Sequence, residues 1–313
     1  MASQPSSPAE RGNDDPGGRV RVFVGTDENQ VLAYQVLAAS IRRHAGRAVE
    51  ITPLDVLEVP EPRDPALRSR TGFTFHRFAI PAHCGYRGRA IYLDADMLVF
   101  SDIGELWRWP MPGPLGVLGT AQETARGRLA RYAVLLMDCA RLDWDVEALI
   151  ADLEAGRYSY EKLVYELGFV PDEKKGESLP RRWNSLERYQ PGETALLHYT
   201  DMPRQPWVYP YNRNGGLWYA ALREALEAGE IAEATVAQEI NAGHVSPDLP
   251  RWIGHPIAGI LVARRAWLPP YLRRLQNQRS DRSWKLRCAL RRRTTWAPWF
   301  HRIRDRLRGI PEW

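Results

Sequence analysis

The chain has 313 residues, of which 44% are hydrophobic and 26% are charged, and its formal net charge is +5. This length and composition suit a globular protein with one large domain or two small ones. No apolar window reaches the roughly 18 residues that a transmembrane helix needs. The three cysteines (Cys84, Cys139 and Cys288) lack Cys-x-x-Cys spacing, which argues against a disulfide framework and a zinc knuckle and favours a reducing cytoplasm.

Residues 1–18 are rich in Ser, Pro, Gly and Asp, and we predict that they form a disordered leader. An apolar run then predicts a first strand over 19–25, and periodic apolar residues predict a helix over 31–41. A second strand is predicted at 48–54. A Pro-rich loop leads to a predicted helix that starts near 73 and ends before Gly85, and a third strand is predicted at 89–94.

Further along the chain, strand and helix patterns continue to alternate. Strands are predicted at 115–120, 132–137 and 194–199, and helices at 145–155, 160–167 and 217–228. Alternation of this kind predicts an α/β fold with a mainly parallel central sheet flanked by helices. We place this domain at 19–265 and a basic, aromatic C-terminal extension at 266–313.

The third predicted strand ends in two carboxylates, Asp94 and Asp96, one residue apart. Side chains at i and i+2 of a strand point the same way, so the two acids lie together if the extended backbone persists. Their mutual repulsion is relieved by a divalent cation, and oxygen ligands suit Mg²⁺ or Mn²⁺ with positions left for substrate phosphates. A turn in which both aspartates face solvent is the alternative.

His198 stands at the end of another predicted strand, followed by a loop that contains Pro and Arg residues. Neutral imidazole is a good ligand for Mn²⁺-like ions and a poor one for Mg²⁺. By itself, a histidine after a strand is more often a hydrogen-bonding residue than a ligand.

The basic tail at 282–308 contains ten Lys or Arg residues against one acid, interleaved with Trp and Phe, while the rest of the chain is slightly acidic. This mixture suits the interface of an anionic membrane. The same residues could bind nucleic acid, or could form a solvated helix whose rings pack on the domain. We favour the membrane and do not expect a nucleic-acid partner.

Together these segments resemble the GT-A-fold glycosyltransferases, specifically family 8 and its bacterial relatives. The similarity extends from about residue 20 to about residue 218. Residues 22–27 resemble the opening nucleotide-binding strand of the family, and residues 75–81 resemble its Arg-bearing helix. Residues 91–96 resemble the Asp-x-Asp metal strand. Residues 179–184 resemble the loop before the last ligand, and residues 198–207 resemble the His-bearing segment.

The resemblance implies a GT-A type nucleotide-diphospho-sugar transferase fold and specific site residues. Asp94, Asp96 and His198 would bind Mn²⁺ or Mg²⁺ and the donor diphosphate. Thr26 and Asp27 would lie at the base and ribose. Two cationic side chains would complete the donor site: Arg77, which would reach the nucleotide or steady the aspartates, and Arg204. The diphosphate-binding lysine of the family is matched by either Arg204 or Gln205. The resemblance does not identify a catalytic nucleophile or the residues that select the sugar.

The implied reaction is transfer of a sugar, with retention, from a nucleotide-sugar donor, typically a UDP-sugar, to a glycan or lipid-linked acceptor. With the basic tail, we expect a cytoplasmic protein that attaches peripherally to the inner face of the plasma membrane. Two other functions stay open at this point. One is a phosphotransferase or phosphatase with Asp94 as nucleophile, and the other is a non-catalytic scaffold that binds nucleotide-sugar or membrane.

Overall fold

The computed structural model describes residues 18–68, 71–121, 124–125, 128–129, 132–261 and 267. These residues form two compact units. The first contains the described residues up to Thr200 together with Glu227–Ile231, and the second contains Asp201–Leu226 and the described residues from Ala232 onward. The predicted leader and the basic tail at 282–308 lie outside the described residues. None of the described helices has the length and apolar character needed to cross a membrane.

The first unit alternates strands and helices along the chain. Its elements are β1 (Val20–Gly25), α1 (Val31–His44), β2 (Val49–Pro53), α2 (Ile80–His83), β3 (Arg89–Asp94), β4 (Met97–Val99), α3 (Ile103–Trp107), β5 (Val117–Thr120), β6 (Thr124–Ala125), β7 (Arg128–Leu129), β8 (Val134–Asp138), α4 (Val146–Glu154), α5 (Tyr160–Val164), β9 (Lys175–Leu179), β10 (Ser185–Leu186) and β11 (Leu196–His198).

The central sheet has the strand order β2-β1-β3-β8-β5-β9. The pairs β1–β2, β1–β3 and β5–β9 are parallel, whereas β8 runs antiparallel to both of its neighbours. All strands of this sheet except β8 therefore point in one direction, which confirms the predicted α/β fold with a mainly parallel sheet. A smaller sheet, β10-β11-β4, continues from the end of β3.

Side chains of the central strands alternate between two hydrophobic clusters, as the period of an extended chain requires. Val22, Ile91 and Leu136 contribute to the cluster that also contains residues of α1 and α3. Tyr92 and Leu135 contribute to the opposite cluster, which contains residues of α4 and α5. The central strands of the sheet are thus buried on both faces.

Local details differ from the sequence predictions. The helix predicted from residue 73 is a 3₁₀ turn at His76–Ala79 followed by the short helix α2. Pro81 explains this start, since proline fits the first turn of a helix and is unfavourable deeper inside one. α1 begins after Gln30, whose side chain makes no capping hydrogen bond, and in the preceding loop Oδ1 of Asp27 accepts the backbone N–H of Asn29.

The second unit is helical. It contains α6 (Gly215–Glu227, whose last residue belongs to the first unit), α7 (Glu233–Ala242) and α8 (Leu249–Ile253). Gly243 caps the C-terminus of α7 and Gly254 caps that of α8. Both glycines have left-handed backbone conformation, which glycine adopts at little cost. Aromatic rings fill this unit, and Trp207 and Trp218 have centroids 5.3 Å apart.

Candidate active site

The end of β3 carries the first acidic residue of the site. Asp94 lies opposite Gly25 of β1 in the parallel register, and its backbone N–H donates to the carbonyl of Ala133 at 3.3 Å. The N–H of Ala95 donates to the carbonyl of Gly25 at 3.0 Å. Backbone bonds from both neighbouring chain segments therefore fix Asp94 at the carboxyl edge of the sheet, where open α/β sheets bind their ligands.

The chain bends at Ala95 and Asp96 before it continues as β4 of the smaller sheet. The i, i+2 argument assumes that both aspartates lie on one continuous strand. The structure shows that they do not. β11 pairs antiparallel with β4, with His198 opposite Met97, and the N–H of Tyr199 donates to the carbonyl of Asp96 at 2.9 Å. This pairing brings the histidine to the aspartates although about a hundred residues separate them in the sequence.

Asp94, Asp96 and His198 form one cluster, in which each residue offers a ligand atom within 4.8 Å of the other two. Nε2 of His198 lies 3.1 Å from Oδ1 of Asp96 and 4.0 Å from Oδ2 of Asp94. The His198 side chain is 5% exposed, and those of Asp94 and Asp96 are 26% and 16% exposed. The cluster is therefore largely buried but open on the carboxylate side.

The orientation of the His198 imidazole is fixed by a hydrogen bond at Nδ1, the ring nitrogen that does not face the aspartates. Nδ1 of His198 lies 2.9 Å from Oδ1 of Asn184, and Nδ2 of Asn184 donates to Oγ1 of Thr120 at 3.1 Å. An amide oxygen only accepts hydrogen bonds, so Nδ1 carries the proton of this bond. In neutral imidazole the lone pair then lies on Nε2, which faces the two aspartates, and this is the tautomer that a metal-binding histidine needs.

Two further side chains act on Asp94, Tyr92 through a hydrogen bond and Arg77 through its charge. The hydroxyl of Tyr92 donates to Oδ1 of Asp94 at 2.5 Å. The guanidinium of Arg77 lies 5.4 Å from the centre of the Tyr92 ring, and it donates to the carbonyls of Thr74 and Tyr132 at 3.1 and 3.2 Å. Arg77 is thus bound to the protein backbone, and its positive charge favours the ionised form of Asp94.

Ionisation in the cluster is strongly perturbed. Burial raises the pKa of Asp94, and the neighbouring Asp96 carboxylate raises it further, while His198, Arg77 and Tyr92 offset part of this rise. Burial alone lowers the pKa of His198, but the carboxylates of Asp96 and Asp94 outweigh burial and raise this pKa above its ordinary value. Burial also raises the pKa of Tyr92 well above its ordinary value, so the phenol stays protonated and donates its hydrogen bond.

The donor set fits a small divalent ion. Two carboxylates and one neutral imidazole are suitable ligands for Mn²⁺, and the carboxylates also suit Mg²⁺. Octahedral ligands at about 2.1 Å from an ion and at right angles to each other lie roughly 3.0 Å apart, and the distance between Nε2 of His198 and Oδ1 of Asp96 is 3.1 Å. The predicted cluster of Asp94, Asp96 and His198 is therefore present and has suitable dimensions.

Thr26 and Asp27 follow β1 directly and so lie at the same edge of the sheet as Asp94. Thr26 is buried. Oδ1 of Asp27 accepts the N–H of Asn29 at 2.9 Å, and Oδ2 accepts the N–H of Gly72 at 3.4 Å. Asp27 thus joins the loop after β1 to the segment before Arg77, a role that the sequence did not suggest.

Arg204 belongs to the second unit. Its Nε lies 3.8 Å from Oδ2 of Asp201, and its carbonyl accepts a hydrogen bond from Nδ2 of Asn212 at 2.7 Å. The carboxylate of Asp201 thus pairs with the guanidinium of Arg204.

Sequence reasoning missed three residues that support the cluster: Tyr92, Asn184 and Thr120. The alternation of β3 could have identified Tyr92, since residues i and i−2 of a strand share a face. Asn184 lies in the segment 179–184 that the resemblance singled out, but its contact with His198, and that of Thr120 with Asn184, arise only from tertiary packing.

Comparison with known proteins finds partial similarities. No family model matches the chain. The chain is 28% identical to "Protein CDI" of Arabidopsis thaliana over 222 residues, which cover 65% of this chain and 81% of that protein.

Two of the similar solved structures are glycosyltransferases. GlyE of Streptococcus pneumoniae TIGR4 is 16% identical with a TM-score of 0.46, over 68% of this chain and 64% of GlyE. The sugar transferase LgtC, solved with donor and acceptor sugar analogues, is 12% identical with a TM-score of 0.46, over 68% of this chain and 100% of LgtC. Similarity at this level does not carry an activity from one protein to another.

Proposed function

We propose that the protein is a metal-dependent glycosyltransferase, which moves a sugar with retention from a nucleotide-sugar donor, a UDP-sugar, to a glycan or lipid-linked acceptor. The observation that carries the proposal is the cluster of Asp94, Asp96 and His198, whose ligand atoms lie within 4.8 Å of one another. It occupies the carboxyl edge of a mainly parallel sheet, beside Thr26 and Asp27. The sequence motifs supply the class of reaction.

The chemistry of this transfer matches the charges of the cluster. A departing nucleoside diphosphate gains negative charge, and a bound Mn²⁺ or Mg²⁺ would stabilise that charge without a proton. Asp94 and Asp96 would hold the ion, and His198 would add a nitrogen ligand. Arg77 adds positive charge beside Asp94. The proposal also includes Arg204 as a phosphate contact, since a guanidinium binds phosphate oxygens in a forked geometry.

The test measures nucleoside diphosphate release from a panel of nucleotide sugars in the presence of Mn²⁺. We expect release from a UDP-sugar, and its loss in Asp96→Ala. Asp143→Ala is the matched control, because the side chain of Asp143 is 86% exposed and pairs only loosely with Lys174 at 3.9 Å. Equal release by the unaltered protein and Asp96→Ala would refute the metal role.

The two alternative functions predict other outcomes of the same experiments. Trapping of a phosphorylated Asp94 would establish a phosphotransferase or phosphatase. Calorimetric binding of UDP and Mn²⁺ without turnover on any acceptor would favour a scaffold.

For the tail we propose peripheral attachment to an anionic membrane, which would place the protein in the cytoplasm at the inner face of the plasma membrane. The support is the composition of residues 282–308, with ten basic residues among Trp and Phe, since cations bind anionic headgroups and aromatic rings favour the interface. Truncation after residue 281 is expected to abolish co-sedimentation with anionic liposomes. Unchanged sedimentation would refute the attachment.

A further inference from the structure

Tyr92 donates a hydrogen bond to one of the two carboxylate oxygens of Asp94. Its ring is fully buried in β3, and its hydroxyl lies 2.5 Å from Oδ1 of Asp94. The phenol has little freedom to move away. A Cβ on Gly25 would lie 2.5 Å from the hydroxyl oxygen, so the neighbouring strand already approaches closely, and the guanidinium of Arg77 lies near the ring.

This hydrogen bond fixes the rotation of the Asp94 carboxylate. With Oδ1 bound to the phenol, Oδ2 is the oxygen that lies 4.0 Å from Nε2 of His198. Asp94 therefore offers the cluster one free oxygen, and the other is already engaged by a proton donor. A carboxylate held in this way is suited to bind an ion through a single oxygen.

Divalent ions differ in how they use carboxylates. Ca²⁺ takes six to eight oxygen ligands and readily binds both oxygens of one carboxylate, whereas Mg²⁺ demands an octahedral arrangement at shorter distances. Imidazole nitrogen is a suitable ligand for Mn²⁺ and a poor one for Ca²⁺. The cluster thus combines a nitrogen ligand with a carboxylate restrained to one oxygen.

We propose that Tyr92 is a metal-selectivity residue, which restrains Asp94 to single-oxygen coordination and so favours Mn²⁺ over Ca²⁺ at this cluster. The inference rests on the metal site of the proposed function and adds a residue to it. Tyr92 does not touch the ion itself. It acts through Asp94 as a positioning residue.

The test compares the dissociation constants of Mn²⁺ and Ca²⁺, measured by calorimetry, in the unaltered protein and in Tyr92→Phe. The unaltered protein is expected to bind Mn²⁺ more tightly. In Tyr92→Phe the ratio of the Ca²⁺ to the Mn²⁺ constant is expected to fall about tenfold, an effect of the size that residues behind metal ligands exert. Tyr86→Phe is the control, since the Tyr86 hydroxyl donates to the carbonyl of Trp144, and its ratio should not change.

Each other outcome has a definite meaning. If Tyr92→Phe weakens the binding of Mn²⁺ and Ca²⁺ by the same factor, or changes neither, the ratio of the two constants stays the same. Tyr92 then has only a structural role, and the inference is wrong. If the variant does not fold, equal affinity of the unaltered protein for both ions still overturns the inference. If the unaltered protein binds neither ion, the metal dependence of the proposed function fails as well.

Discussion

Nδ1 of His198 lies 2.9 Å from Oδ1 of Asn184, 14 residues earlier in the chain. This contact decides which imidazole nitrogen faces Asp94 and Asp96. We expect Asn184→Ala to weaken Mn²⁺ binding by about 10- to 100-fold, because the imidazole loses its fixed tautomer and orientation. Titration calorimetry checks this.

Thr120→Val provides a graded comparison, since it removes only the hydroxyl that Asn184 contacts. Its effect on Mn²⁺ affinity should be smaller than that of Asn184→Ala. Unaltered affinity in Asn184→Ala would show that the hydrogen bond does not position His198.

The close approach at Gly25 leads to a stability prediction. A Cβ there would lie 2.5 Å from the Tyr92 hydroxyl and 2.6 Å from Cδ2 of Phe73. Gly25→Ala is expected to lower the free energy of unfolding by about 1–3 kcal/mol, the usual cost of overpacking. Urea denaturation measures it. Gly216→Ala is the control, because its Cβ would meet nothing within 4 Å, and it should be neutral or stabilising by up to about 1 kcal/mol. Equal stabilities would contradict the prediction.

Arg77 and Arg182 allow a second comparison of a test variant with a matched control. Both lie near an aromatic ring, but Arg77 is buried and binds two backbone carbonyls, whereas the Arg182 side chain is 41% exposed. Arg77→Met should lower the free energy of unfolding by about 1–3 kcal/mol or more, since it leaves buried carbonyls without donors. Arg182→Met should cost less than about 1 kcal/mol. A reversed order would refute this account of Arg77.

The raised pKa of His198 predicts how stability changes with pH in the absence of metal. Its pKa lies above the ordinary 6.5, so the folded protein retains a proton that the unfolded chain releases. The resulting stabilisation is fully present below pH 6.5 and disappears as the pH rises through the raised pKa.

The difference in unfolding free energy between the unaltered protein and His198→Gln, measured with a chelator present, should therefore shrink as the pH is raised above 6.5 into the alkaline range. The variant removes the contribution of His198 and leaves those of other titrating groups in both proteins. A difference that stays constant over this range would contradict the assigned pKa direction.

The sequence predicted the larger elements well because their apolar patterns are long. The third strand has the predicted bounds, Arg89–Asp94, and the first begins one residue later than predicted. β4 has only three residues, too few for a periodic signal, so the bend between the two aspartates could not be foreseen. The division after Thr200 also has no counterpart in the composition of that segment.

The clustering of Asp94, Asp96 and His198 was predictable from the sequence, whereas the residues that support the cluster were not. Asp94, Asp96 and His198 each follow an apolar run, which is visible in the sequence. The roles of Tyr92 and Asn184 depend on how strands pair, and that of Asp27 on a loop contact with Gly72. Such contacts arise from tertiary structure, so residue types alone do not reveal them.

The bend at Ala95 and Asp96 also affects the mechanics of the first unit. Asp94 ends a strand of the large sheet, whereas Asp96 leads into the small sheet that carries His198. An ion bound by these side chains would therefore link the large sheet to the small sheet. Removal of metal should then speed amide hydrogen exchange in β4 and β11 more than in β1, because local opening follows the weakest connection.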